Sequence, residues 1–248
     1  HSMHYYASNH DGDTASYLAL TADLESFVDT LTGVLRYVKA RQRSKHDVFL
    51  QWDEWNVWYK ALGQVHEKGG WAAAPHLIEE VYNLEDALVV AQWMNVFLRK
   101  SDVVKIACLA QIVNVIAPIL TTRDTLLKQS TYYPLLLFSR LAAGAALDIA
   151  VKAPVYETAR FGDMPLIDAS ASINEETRTG AVFIVNRSQT ESLPTMLHWQ
   201  DRAPTSINAV YQVAGTDPKA FNSLDNPDRV GAVRVAAPAL SHQSAMLV

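Results

Sequence analysis

The segment FLQWDEWNVWYK, residues 49–60, places two adjacent carboxylates, Asp53 and Glu54, among three tryptophans. It begins as an apolar run of strand length and reaches the acids after four residues. Because an unpaired buried carboxylate is costly, such a cluster is either a satisfied structural ion pair or a site built for chemistry. The segment therefore predicts a strand that ends in a candidate functional site.

Strand and helix patterns alternate on both sides of this segment. Apolar spacing predicts three helices, over residues 14–42, from about Asn83 to Lys100, and within residues 131–146. The strands that accompany them lie in residues 1–7, 46–56 and 103–116. A loop containing EKGGWAAAP, residues 67–75, precedes the second helix.

Capping signals support these helices. Asp13 or Thr14 is a suitable N-cap for the first helix, and Asn83 with Asp86 matches a capping box at the second. Pro134 falls in the first turn of the third helix, where proline is tolerated. Strands that are apolar on both faces and alternate with helices indicate a parallel sheet covered on both sides.

The pattern changes near Leu147 to short strand-like segments separated by turns, which is typical of an antiparallel β-sandwich of about 100 residues. The fold class is therefore α/β plus all-β, with one domain over residues 1–146 and a second over 147–248. Three strand–helix units cannot close a parallel barrel, which needs eight. We expect the remaining units to lie upstream or on another chain.

Composition excludes several classes of partner. The net charge is −5, from 21 Lys and Arg against 26 Asp and Glu, with no basic stripe for nucleic acid. No apolar run approaches the ~20 residues of a membrane-spanning helix, and we expect no membrane partner. The sequence has no His or Cys spacing typical of a metal site and no glycine-rich phosphate loop. We therefore expect neither a metal nor another cofactor. The single Cys108 is predicted to be a small buried hydrophobe.

Functional groups of parallel βα folds come from the carboxyl ends of the strands. The polar side chains near these ends are His4 and Tyr6, Asp53 and Glu54, and Gln111 and Asn114. Strict alternation along a strand predicts that Asp53 and Glu54 point to opposite faces, so only one can serve a central pocket. Alternation alone does not say which. Tryptophans beside a carboxylate suit a sugar, whose apolar faces stack on indole rings.

Four segments resemble the C-terminal half of the α-L-arabinofuranosidases of glycoside hydrolase family 51. They are residues 51–60 (QWDEWNVWYK), 81–120 (beginning VYNLEDAL), 132–144 (YYPLLLFSRLAAG) and 1–25 (beginning HSMHYY). The resemblance implies that the chain contains the last three βα units of a (β/α)8 TIM-type barrel followed by the sandwich. It also implies retaining hydrolysis of terminal α-L-arabinofuranosyl groups, with Glu54 as the nucleophile and Asp53 as a supporting residue.

The resemblance assigns roles to four more side chains. Tyr6 is the neighbour that hydrogen-bonds the nucleophile, Trp58 lines the arabinose site, and Gln111 binds a sugar hydroxyl. His4 is also carried over as a substrate-binding residue, although a strand histidine near a pocket is more often a structural hydrogen-bonding group.

The departure from the family concerns the acid/base glutamate. The family carries it at the end of the fourth barrel strand, and no such strand precedes His1. The acid pairs near the second helix are expected to complement the helix dipole and not to replace it; they are Glu79, Glu80, Glu85 and Asp86. We therefore expect a fragment that is inactive alone, whose partners are an arabinofuranosyl oligosaccharide and the missing N-terminal half of the barrel.

Two further expectations come from the family: assembly as a homo-oligomer and a cytoplasmic location. The alternative reading is a non-catalytic carbohydrate-binding or interaction module on the same scaffold. It predicts binding of arabino-oligosaccharides that Glu54→Gln leaves unaffected.

Overall fold

The computed structural model describes residues 1–61, 77–201, 203–241 and 243–247, so the predicted loop at 67–75 lies outside the described residues. The first half contains a three-stranded parallel sheet in the order β1, β2, β3. Its strands are β1 (Ser2–Ala7), β2 (Leu50–Val57) and β3 (Val104–Leu109). The helices between them are α1 (Thr14–Leu18), α2 (Thr21–Arg41) and α3 (Leu84–Arg99).

The first predicted helix is divided into α1 and α2. The N–H groups of Ala19 and Leu20 donate to carbonyls three residues back, at 3.1 and 3.3 Å, which tightens the chain between the two helices. Asp13 caps α1 as predicted, and its carboxylate accepts from the Ser16 N–H at 3.1 Å. Helical spacing therefore located the helical region but not the break within it.

The second helix begins with the predicted capping box. The Asn83 side chain accepts from the Asp86 N–H at 3.1 Å, and the Asp86 carboxylate accepts from the Asn83 N–H at 2.9 Å. Two N–H groups that have no partner within the helix are thus satisfied by side chains. The prediction of this helix and its cap is confirmed.

An aromatic core joins β2 to the helices. Trp52 and Trp55 of β2 are buried against Trp93 and Phe97 of α3, and the Trp55 and Trp93 rings stack at 5.2 Å. Phe27 of α2 meets the Trp52 ring edge-on at 5.9 Å. Such aromatic pairs contribute about 0.5–1.5 kcal/mol each beyond the area they bury. Two of the three tryptophans of the opening segment therefore hold the sheet against the helices.

The parallel sheet is covered on one face only within the described residues, which contradicts the predicted cover on both sides. Ile106 of β3 is 48% exposed, and Cys108, predicted to be buried, is exposed. The reason is positional: β3 is an edge strand, and no described strand pairs with its outer side or with that of β1. The face opposite the helices also stays open, and the side chains of His4, Asp53 and Glu54 are partly exposed on it.

The segment after β3 forms a small hairpin that the sequence did not predict, followed by the third predicted helix. The hairpin pairs β4 (Ile119–Thr121) with β5 (Leu126–Lys128), and α4 (Tyr132–Leu141) has Pro134 in its first turn. The helix contacts the C-terminal strands through Phe138, whose ring stacks on Phe183 at 3.8 Å.

The second half is built from antiparallel strand pairs, as predicted for this region. Its strands are β6 (Ala145–Leu147), β7 (Val155–Thr158), β8 (Gly162–Pro165), β9 (Ile167–Asn174), β10 (Thr179–Asn186), β11 (Thr195–His198), β12 (Val210–Gln212), β13 (Val233–Val235), β14 (Leu240–Ser241) and β15 (Ser244–Leu247). They form the groups β10-β9-β6, β11-β15-β14, β12-β13 and β7-β8. The predicted boundary between residues 146 and 147 stays a prediction and falls inside β6.

Strand β9 is tied to α3 by buried polar contacts. The Asn95 amide donates to Asp168 at 2.7 Å and accepts from the Ser170 hydroxyl at 2.6 Å. Arg99 donates to Asp168 at 3.0 Å and, through its other nitrogens, to Glu25 of α2. Because these groups satisfy one another, the polar contact can be buried without leaving an unpaired charge.

A second link joins the C-terminal part to the start of α3. The N–H groups of Leu84 and Glu85 donate to the carbonyls of Ala220 and Pro218 at 2.8 and 2.9 Å. Lys219 forms an ion pair with the buried Glu85 carboxylate. The start of α3 is therefore capped from both halves of the chain.

Candidate active site

A β-bulge lies at the two adjacent carboxylates. On the β1 side, Met3 is opposite Trp52 and His4 is opposite Glu54, so Asp53 is an extra residue on β2. The ladder between β2 and β3 is irregular at the same place. A bulge bends its strand and changes the direction of nearby side chains.

The bulge overturns the prediction that Asp53 and Glu54 point to opposite faces. Trp52 and Trp55 are three residues apart, yet both are buried in the core beneath the sheet. The two carboxylates therefore share the open face. There His4 lies between them, with Nε2 3.6 Å from Asp53 Oδ1 and Nδ1 3.3 Å from Glu54 Oε2.

Tyr6 contacts Glu54 as the sequence predicts. Its hydroxyl donates to Glu54 Oε2 at 2.8 Å, and its ring meets the Trp58 ring edge-on at 5.2 Å. Burial, followed by the hydrogen bond to Glu54 and the charge of that carboxylate, raises the pKa of Tyr6 well above its usual range. Tyr6 is thus a neutral donor to Glu54 at neutral and mildly alkaline pH.

Asp53 has a different partner on the open face. The Ser2 hydroxyl lies 2.7 and 2.9 Å from the two oxygens of the Asp53 carboxylate. This hydrogen bond is the main cause of the lowered pKa of Asp53, and the nearby His4 acts in the same direction. Asp53 is therefore held in its ionised form, in which it accepts hydrogen bonds.

The candidates from the third strand are not brought into this cluster. Gln111 follows β3 at a cis peptide bond with Ala110 and is exposed. Asn114 holds a turn, where its Oδ1 accepts from the Thr121 N–H at 2.7 Å. Among the described residues, neither side chain forms a hydrogen bond or ion pair with Glu54. Gln111 stays a predicted sugar-binding residue. Asn114, a candidate for the functional site, instead stabilises a turn through its contact with Thr121.

Asn56 is a positioning residue that the sequence reasoning missed. It follows the acids by two positions and is buried, and its side-chain amide donates to the carbonyls of Ala110 and Ile116 at 2.7 and 2.5 Å. The amide therefore fixes the segment that carries Gln111 to the end of β2. Its position in the DEWN sequence was the available signal.

Two more buried side chains organise the loops at this end of the sheet. The prediction that Glu80 lies at a helix start is wrong. Its carboxylate accepts from the N–H groups of residues 59–61 at 2.8–3.2 Å. Gln129 donates to the carbonyls of Glu80 and Ala117 and accepts from the Tyr82 N–H. Their partners are distant in sequence, so no local pattern revealed them.

Other site types find no support in the described residues. Within them, no three His, Cys, Asp or Glu side chains group closely enough to hold a metal ion, and no helix has the length and apolarity needed to cross a membrane. A groove of about 360 Å³ between α2, α3 and β9 is lined by none of the candidate residues. Its charged groups, Glu25, Arg99, Asp168 and Arg187, bind one another or neighbouring protein groups, so it gives no indication of a ligand.

Comparison with known proteins gives a consistent result. The family described as α-L-arabinofuranosidase C-terminal domain matches residues 53–247. An intracellular exo-α-(1→5)-L-arabinofuranosidase of Streptomyces lividans is 39% identical over 231 residues, which cover 92% of this chain and 35% of that protein. The enzyme of the same name from Halalkalibacterium halodurans is 42% identical over 193 residues, 77% of this chain and 39% of that protein.

Solved structures agree with the sequence matches. A family 51 α-L-arabinofuranosidase from Bifidobacterium longum superimposes with a TM-score of 0.87 at 28% identity, over 99% of this chain and 50% of that one. The chain thus spans between about a third and a half of the length of these relatives.

Proposed function

This chain belongs to the α-L-arabinofuranosidases of glycoside hydrolase family 51, as a C-terminal domain, and we propose that it supplies the nucleophile Glu54 for retaining hydrolysis of arabinofuranosides. The observation that carries the proposal is the hydrogen bond from Tyr6 to Glu54, at 2.8 Å, on the open face of the sheet beside Trp58. A carboxylate fixed by a neutral donor keeps one oxygen free to attack a substrate from that face.

We propose that β1, β2 and β3 are the last three strands of a (β/α)8 barrel whose interior is the open face, with the antiparallel strands as a sandwich. The unpaired edges of β1 and β3 and the exposed Ile106 and Cys108 support this reading, because a closed barrel would cover them. The relatives are two to three times as long as the chain. The missing strands would come from polypeptide outside these 248 residues.

Retaining hydrolysis needs a second carboxyl group about 5–5.5 Å from the nucleophile, protonated in the first step. Asp53 is a neighbouring carboxyl group across His4, but its pKa is lowered, mainly by the Ser2 hydrogen bond, so it does not suit a proton donor. The acid/base is therefore assigned to the missing half of the barrel. In the second step that residue would activate water to release the sugar from Glu54.

The substrate proposed is a terminal α-L-arabinofuranosyl group on an oligosaccharide. The relatives from Streptomyces lividans and Halalkalibacterium halodurans are named for α-(1→5) linkages, and another, from Bifidobacterium longum, is named for α-(1→6), so the linkage differs among proteins of this similarity. Trp58 is proposed to stack on the sugar and Gln111 to bind a hydroxyl. The relatives named intracellular support a cytoplasmic location, and a homo-oligomer is proposed from the family alone.

A reconstitution experiment tests the proposed function. The chain is assayed on an aryl α-L-arabinofuranoside alone and after co-expression with the polypeptide encoded upstream of it. We expect activity only from the pair, here called the complete enzyme, and proton NMR should show that the first sugar released keeps the α configuration. Full activity of the isolated chain would contradict the proposal. Sugar binding without hydrolysis, unaffected by Glu54→Gln, would support the non-catalytic alternative.

Tyr6→Phe tests the contact that carries this proposal. In the complete enzyme we expect kcat to fall about 10- to 100-fold, since a hydrogen bond to a charged group contributes about 1.5–3 kcal/mol. Because the pKa of Tyr6 is raised well above its usual range, the alkaline limb of the pH–rate profile should keep its midpoint in the variant. A shift of that midpoint in Tyr6→Phe would mean that the tyrosine itself titrates there.

A further inference from the structure

We propose that Asp53 is a positioning residue that holds the His4 imidazole against Glu54. This inference rests on the proposed function, in which Glu54 is the nucleophile. It goes beyond that function because it assigns a role to the neighbouring carboxylate and to the bulge that exposes it.

The bulge makes the contact possible. A regular strand would direct Asp53 away from Glu54, into the core that Trp52 and Trp55 occupy. One extra residue on β2 brings Asp53 to the open face, where His4 of the neighbouring strand is within 3.6 Å of both carboxylates. Bulges next to active sites commonly redirect a side chain in this way.

The Asp53 carboxylate is itself anchored. The Ser2 hydroxyl, 2.7 and 2.9 Å from its two oxygens, limits its rotation. Ser2 and His4 lie on the same side of β1, two residues apart, so both approach Asp53 from one strand. The lowered pKa of Asp53 is consistent with a carboxylate that remains an acceptor at the pH of catalysis.

The imidazole can transmit this restraint because, with a proton on each nitrogen, it presents one N–H on each of two edges of one rigid ring. With Nε2 towards Asp53, Nδ1 is directed at Glu54 Oε2, 3.3 Å away, the oxygen that also accepts from Tyr6. Fixing one oxygen from two sides orients the carboxylate that must attack the anomeric carbon. Without Asp53, the ring can rotate about the bonds of its own side chain and release that restraint.

The test is a double-mutant cycle in the complete enzyme with an aryl α-L-arabinofuranoside. Asp53→Asn, which keeps the size of the side chain, should lower kcat about 10- to 100-fold, the scale of a misplaced reacting group, with KM within about twofold. In a His4→Ala background the same substitution should cost less than about twofold, because its effect passes through the imidazole. Ser2→Ala should lower kcat less than Asp53→Asn and have no further effect in the Asp53→Asn background.

Three controls make the result decisive. Rates are divided by the fraction of enzyme that a mechanism-based covalent inhibitor labels, so partial misfolding does not imitate a loss of kcat. Asp29→Asn removes an exposed carboxylate that pairs with Lys100 on the helical side, and it should leave kcat unchanged. Thermal unfolding of each variant reports any structural effect separately.

The outcomes separate this inference from the proposed function. If Glu54→Gln abolishes turnover but Asp53→Asn does not change kcat, or the Asp53 and His4 effects simply add, the positioning role is wrong and the proposed function stands. Retention of activity in Glu54→Gln would overturn both. If Asp53→Asn lowers the fraction of enzyme that the inhibitor labels but leaves kcat per labelled molecule unchanged, Asp53 has a folding role and the positioning role is wrong.

Discussion

In the complete enzyme, Glu54→Gln is expected to lower kcat/KM on an aryl α-L-arabinofuranoside by on the order of 10⁴-fold, the scale seen when a catalytic nucleophile is removed. Glutamine has nearly the same shape, and its amide oxygen can still accept from Tyr6, which lies 2.8 Å from the present carboxylate. The amide cannot form the covalent intermediate, so kcat/KM falls because the nucleophile is missing and not because the fold changes. Steady-state kinetics with purified protein give the measurement.

A matched control is Glu157→Gln, which removes an exposed glutamate from β7 and should leave kcat/KM within about twofold, as expected for a surface substitution. Glu54→Ala adds a chemical readout, because azide can enter the space left by the carboxylate. We expect azide to restore turnover and to yield a glycosyl azide of inverted configuration, identified by NMR. Residual activity of Glu54→Gln above a tenth of the original would show that another residue is the nucleophile.

The helices were largely predictable because their signals are local. Asn83 and Asp86 are three residues apart, and the capping box they form needs no partner from elsewhere. Apolar spacing likewise located the helical region of residues 14–42, although the turn around Ala19 that divides it depends on backbone contacts that spacing does not encode.

The geometry of the site was only partly predictable. The contact of Tyr6 with Glu54 followed from the family resemblance and is present in the structure. The bulge at Asp53 did not follow, because strand alternation assumes a regular ladder, and only the register with the neighbouring strands reveals an inserted residue. In hindsight the spacing of Trp52 and Trp55 was the available sign, since two core tryptophans three residues apart cannot share a face of a regular strand.

The open face explains the other errors. Apolar residues such as Ile106 and Cys108 predicted burial, and they are exposed because the described chain offers no strand or helix to cover them. Apolar residues on a strand indicate that the strand is suited to burial, whether the covering residues belong to the same polypeptide or to another. The same side chains therefore support the proposed complete barrel.

Arg187→Ala is expected to destabilise the protein by about 3–5 kcal/mol, the range for breaking a buried charged network from one side. The Arg187 side chain is 5% exposed and lies 3.6 Å from the buried Asp168. It donates to the carbonyls of Leu18 and Pro165 at 3.0 and 2.9 Å and to Gln92 at 2.6 Å. Truncation leaves the buried acceptors of Leu18 and Gln92 without their donor and weakens the contact between the antiparallel strands and the helices. Urea unfolding followed by tryptophan fluorescence measures the change.

Arg160→Ala is the matched control, because Arg160 also joins the C-terminal strands to α2, through an ion pair with Asp23 at 3.1 Å. Both side chains of that pair are largely exposed, at 55% and 44%, so its loss should change the free energy of unfolding by no more than about 1 kcal/mol. Arg187→Lys should lie between the two, since lysine keeps the charge but cannot reach several acceptors with one planar group. Equal losses for Arg187→Ala and Arg160→Ala would show that burial of the guanidinium adds nothing to the stability of this contact.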